Sequence, residues 1–140
     1  MATTAPRRSS TDADLYARIR DFEEAVGAPA GPGWRNRAAG TLDALREAFS
    51  AHVAASEGPG GRYAELVAAA PRLAGPVERL LREHPRIGVD LADLARVLAE
   101  TATTRPPVGA AVALRTIDRH HRRGTDLLYE AYVIDLGGET

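Results

Sequence analysis

Four histidines are the side chains of this 140-residue sequence best suited to hold an ion, and three sit at positions where a hydrophobe is expected. His52, His84 and His121 each interrupt an apolar stripe that repeats every three to four residues, so each faces inward on an amphipathic helix. A single buried histidine is usually a hydrogen-bonded core residue. Seam positions are roughly two in seven of a helix, so three independent histidines reach them by chance on the order of a few times in a hundred. Three together therefore point to metal ligation by imidazole. An ion held this way in a helical core also calls for carboxylates to balance charge. Glu57 follows His52 by five residues and Asp126 follows His121 by five, while Glu83 adjoins His84 and Glu130 lies one turn beyond Asp126. Glu57 and Asp126 read as ligands. Glu83 and Glu130 read sooner as solvated carboxylates, with Glu130 kept in the candidate set. His120 is one step off the fourth stripe, yet a second seam through Ala113, Ile117, His120, Gly124, Leu127 and Ala131 is nearly as apolar. Periodicity leaves the choice between His120 and His121 open.

The elements that must position these residues are helices, since four segments show three-four spacing and none alternates over strand length. The first carries Leu15, Ile19, Phe22 and Val26, with Thr11 and Asp14 as a capping box at its start. The second runs from Trp34 to Glu57 through Ala38, Leu42, Leu45, Phe49 and His52, and ends at Gly58-Pro59-Gly60-Gly61. A short helical piece over Arg62 to Ala70 precedes the third, whose stripe is Leu73, Val77, Leu80, His84, Ile87, Leu91, Leu94 and Leu98. Pro85 is expected to kink or split that helix. The fourth follows Thr103 to Pro107 and carries Ala110, Leu114, Ile117, His121, Gly124, Leu128 and Ala131. Four stripes with short connections predict an all-α, antiparallel up-down four-helix bundle over residues 12–136, with residues 1–11 a disordered tail and 137–140 a short C-terminal one. His84 and His121 then lie at about the same height on neighbouring helices, whereas the level of His52 depends on how far the segment after Gly61 displaces the third helix.

Composition narrows the chemistry. There is no cysteine, which excludes disulfides, thiolate metal sites and cysteine nucleophiles, and favours a nitrogen and oxygen donor set suited to iron or manganese. A net charge of −1 offers no general attraction to nucleic acid or to an anionic membrane. The polar N-terminal stretch lacks the apolar run of a secretory signal and no run reaches membrane-spanning length, so a soluble cytoplasmic protein is the expectation. Every basic residue is arginine. Arg79, Arg82 and Arg86, with Arg115, Arg119, Arg122 and Arg123, are interleaved with Glu78, Glu83 and Asp118 and read as an ordinary solvated face. Tyr63, Tyr129, Tyr132 and Trp34 read as packing residues.

From Leu15 to Asp135 these residues resemble the hemerythrin-like, or HHE cation-binding, family of four-helix bundles. The stretch from His52 to Glu57 looks like the family's second-helix histidine and glutamate, with Glu57 one residue later than usual and Ser56 in its slot. His84 looks like the first histidine of the third-helix pair, the second falling on Gly88, and His121 with Asp126 reproduces the fourth-helix spacing. The first helix normally supplies a histidine; here Glu23 is the nearest substitute. The segments His52 to Gly61 and Arg123 to Tyr132 look more like a divergent actinobacterial branch than like the oxygen carriers. The resemblance implies non-haem iron, as a di-iron or mononuclear centre with manganese as the alternative, and dioxygen, peroxide or a related small oxidant as ligand. Fewer imidazoles imply a more open, harder site, suited to oxidase, peroxidase or sensor chemistry. Two other functions stand beside it: a metal-free helical interaction or structural bundle, and a di-iron oxygenase or oxidase in a biosynthetic pathway. A homodimer is left open, and neither nucleic acid nor membrane is an expected partner.

Overall fold

The computed structural model describes residues 10–100 and 105–134, which form helices joined by short loops, with no strand among them. Five α-helices follow in order: α1 (Ser10–Gly27), α2 (Trp34–Ser56), α3 (Arg62–Ala69), α4 (Ala74–Ala99) and α5 (Gly109–Tyr129). A 3-10 turn, Pro71–Leu73, leads into α4, and α5 ends in a π-helical turn, Glu130–Ile134. The four expected stripes fall on α1, α2, α4 and α5, and the short piece after Gly61 is α3. Two expectations are corrected. Helix α1 already includes Ser10 and Thr11, so Thr11 lies inside the helix and does not cap it. Helix α4 runs unbroken through Pro85, which sits on its exposed face where the lost N–H bond to the Leu81 carbonyl costs least. Of the expected tail over residues 1–11, Ser10 and Thr11 already belong to α1, while residues 1–9, the 103–104 part of the break before α5 and the expected C-terminal tail lie outside the described residues.

The long helices pack in a closed cycle, α1 on α2, α2 on α4, α4 on α5 and α5 on α1, with α3 laid against α2 and α4. Burying one Leu, Ile or Phe contributes about 1.5–3 kcal/mol, so the stripes hold this cycle together. One apolar cluster joins α1, the first four turns of α2, the second half of α4 and the first half of α5, around Leu15, Phe22, Trp34, Leu42, Leu98 and Ile117. A second joins α3, the start of α4 and the end of α5, around Tyr63, Leu66, Leu73, Val77, Leu80 and Leu127. The buried histidines belong to neither. They form a polar layer between the two, with Phe49 closing it on one side and Tyr63 on the other.

The loop from α2 to α3 sets that layer. Gly58 adopts a left-handed φ of 91°, which reverses the chain after the extended Glu57. At Gly61 the backbone passes so close to the end of α2 that a Cβ would lie 2.5 Å from the carbonyl oxygens of Ser56 and Glu57. Only glycine lets α3 start there, and this displaces the start of α4 enough to bring His84 level with His52.

Candidate metal centre

Helix α2 supplies His52, α4 supplies His84 and α5 supplies His120, all buried and each offering a ring nitrogen within 4.8 Å of the other two. The Nε2 atoms of His52 and His120 are 3.2 Å apart. Ring centroids lie 5.2 Å apart for His52 and His84, 5.3 Å for His52 and His120 and 4.9 Å for His84 and His120. Phe49 stands edge-on to His84, with its centroid 5.7 Å away, and closes the apolar side.

Every one of these rings is backed by a carboxylate. His120 Nδ1 is 2.7 Å from Glu83 Oε1, His84 Nδ1 is 2.9 Å from Glu57 Oε1 and His52 Nδ1 is 3.3 Å from Asp12 Oδ1. An ionised carboxylate only accepts, so in each pair Nδ1–H donates and Nε2 of a neutral ring carries a lone pair. Carboxylate backing of this kind fixes the tautomer and raises the basicity of a metal-binding imidazole. Asp12 also pairs with Arg62 at the start of α3. Burial alone raises the Asp12 pKa, but its bonds to His52 and the Arg62 guanidinium outweigh this and hold it below the ordinary value.

Burial lowers the His84 pKa against the opposing pull of Glu57. It lowers that of His120 further, to about 4, with the neighbouring imidazoles adding to the effect and Glu83 opposing it. Both rings are therefore neutral at pH 7. The Nε2 atoms of His52 and His120 lie 3.2 Å apart, a separation that one shared proton or one shared metal ion would bridge. Two nitrogens each about 2.05 Å from one ion at the tetrahedral angle lie about 3.3 Å apart, so the observed spacing fits coordination of a single ion. A donor set of three imidazoles suits Fe, Zn, Cu or Ni.

Tyr63 of α3 completes the surroundings. Its ring stacks on His84, centroids 5.6 Å apart, and its hydroxyl lies 3.2 Å from His84 Nε2. Burial pushes this phenol well above the ordinary tyrosine range. Beside it is a cavity of about 20 Å³, lined in part by His52, His120, His121 and Gly124. That is room for about one water molecule.

The other expected site residues are placed differently. His121 is buried beside the small cavity, its ring 5.5 Å from Tyr16, and stays outside the group of three. Of the adjacent pair, His120 is the one that converges. Glu57 stands behind His84, on its Nδ1. Asp126 is on the exposed side of α5, and Glu130 is half-buried in the π-helical turn. Glu23 is an exposed partner of Arg20, so α1 reaches the site through Asp12. Sequence reasoning left Asp12 out and read Glu83 and Tyr63 as surface and packing residues. No spacing rule links Asp12 to a histidine forty positions on, but Glu83 carried a signal, since it adjoins His84 on the side that faces α5. No helix of the described residues is long and apolar enough to cross a membrane. No protein-family model, no curated protein and no solved structure matches the chain.

Proposed function

We propose that this chain is a hemerythrin-like metal-binding protein: an up-down four-helix bundle of α1, α2, α4 and α5 that holds one iron ion on His52, His84 and His120 and interacts with dioxygen, peroxide or a related small oxidant. The observation that carries the reading is the convergence of three buried imidazoles, each backed by a carboxylate on its far nitrogen. One ion is favoured over two, because the carboxylates that would bridge a second stand behind the rings or on the outer side of α5. Iron and the oxidant come from the sequence resemblance, with manganese as the alternative ion. A bound ion of this kind supplies Lewis-acid and redox chemistry. The protein's own part is to orient three ring nitrogens, pack Phe49 against them on one side and leave beside them a cavity with room for about one water molecule.

Anaerobic loading with ferrous iron, followed by metal analysis and thermal melting, tests this. About one equivalent per chain and a raised melting temperature are expected. Less than about a tenth of an equivalent, with unchanged melting, refutes it. The second reading, a metal-free bundle, rests on the 3.2 Å contact between the Nε2 atoms of His52 and His120, which is also a hydrogen-bond length if one ring is the other tautomer. It predicts that refuting result.

A further inference from the structure

We infer that the hydroxyl oxygen of Tyr63 is a fourth protein donor to the ion held by His52, His84 and His120, entering as phenolate. The inference rests on the metal reading above and goes beyond it by adding an anionic oxygen from α3 to a set otherwise made of neutral nitrogens.

Distance is the first ground. Tyr63 Oη is 3.2 Å from His84 Nε2, the same separation as between the Nε2 atoms of His52 and His120, and close to the ~3.3 Å between two ligands of one tetrahedral ion. The contact is on the Nε2 side of the ring, opposite the Nδ1 that Glu57 holds. Tyr63 also lines the small cavity together with His52 and His120.

Charge is the second ground. Three imidazoles put no negative charge in contact with the ion, and the carboxylates that offset its charge act from the far side of each ring. Asp12, Glu57 and Glu83 are each held on an Nδ1 at the outer side of a ring. The Tyr63 hydroxyl is an acidic oxygen on the Nε2 side of His84. When it coordinates, the O–H bond breaks, its proton leaves to solvent, and the freed oxygen lone pair forms the bond to the ion; no electron changes hands. A nearby cation inverts the effect of burial on such a group.

Position is the third. Tyr63 is fixed by the close approach at Gly61, two residues earlier, and by stacking on His84. A mobile surface tyrosine would have neither restraint.

The test is to load the full chain with ferrous iron, oxidise it with air, and record iron content, the visible spectrum and resonance Raman scattering of the wild type, Tyr63→Phe and Tyr16→Phe. The wild type and Tyr16→Phe are expected to show a phenolate-to-iron charge-transfer band with enhanced tyrosinate ring modes. Tyr63→Phe is expected to stay helical, lose the band and bind iron at least ~10-fold more weakly. Iron bound by the wild type without that band and those modes overturns the role of Tyr63 and leaves the three-histidine reading standing, as does a band that survives in Tyr63→Phe. No iron in the wild type overturns both. The wild-type Raman spectrum decides the matter even if Tyr63→Phe fails to fold.

Discussion

Glu83 shows how much of this centre depends on residues that touch no ion. It is 30% exposed on α4, yet its Oε1 accepts from His120 Nδ1 at 2.7 Å, the shortest of the three carboxylate contacts. Removing it frees the ring to rotate and to take up the other tautomer. Glu83→Ala is therefore expected to weaken metal binding by about 10–100-fold while leaving the helical content unchanged, measured by competition with a chromophoric chelator. Binding equal to wild type would show that His120 is oriented by packing alone. The ligand itself is the sharper case. His84→Ala should lose the metal and Arg119→Ala, on the exposed face of α5, should keep it, as read by metal per chain after gel filtration. Equal occupancy in the two variants would mean that the seam has been assigned wrongly. The residue scale is also where the sequence was least sufficient. His120 and His121 lie on two seams of similar polarity, and both are buried. What separates them is the direction of the ring relative to α2 and α4, which periodicity along one helix does not contain.

At the scale of elements, the apolar stripes were legible because burial selects them one residue at a time. Leu15, Ile19 and Phe22 on α1 and all eight expected positions from Leu73 to Leu98 are buried. Less legible was the effect of α3, whose eight residues shift the start of α4 and so determine which histidine levels agree. That shift hinges on Gly61. Gly61→Ala would drive a Cβ against backbone oxygens of Ser56 and Glu57, which have no flexible end to yield. It is expected to cost about 1–3 kcal/mol in denaturant melts and to lower metal affinity by moving Tyr63 away from His84. A neutral effect would mean that the loop re-forms without disturbing α3. Gly88 on α4 provides the contrast, since a Cβ there meets nothing within 4 Å. Gly88→Ala should stabilise the protein by about 0.5–1 kcal/mol with metal binding unchanged, because only the helix loses its glycine penalty. A Cβ at Gly124 likewise meets nothing within 4 Å, and that glycine lies on the wall of the small cavity.

For the whole molecule, a polar layer between two apolar clusters ties folding to protonation and to the ion. Folding lowers the His120 pKa from the ordinary 6.5 to about 4 and lowers that of His84 as well, both first of all through burial. Between those pH values the unfolded chain binds protons that the folded chain refuses, so stability falls as pH falls. The contribution is present in full above pH 6.5 and is lost as pH drops through about 4. The metal-free protein should therefore melt progressively lower across this window, followed by circular dichroism. An ion held by the imidazoles needs them unprotonated, so metal stabilisation must fade in the same direction. At neutral pH and a free metal concentration of about 100 times the Kd, the loaded protein should gain about 2.7 kcal/mol over the chelator-treated one. That gap should close as the solution is acidified toward pH 4 and return on neutralisation with fresh metal. A gap that stays constant with pH would place the ion elsewhere on the chain, on carboxylates that ionise below this range. A gap that widens on acidification would contradict imidazole ligation altogether, because protons and a metal cannot both occupy the same nitrogen lone pair.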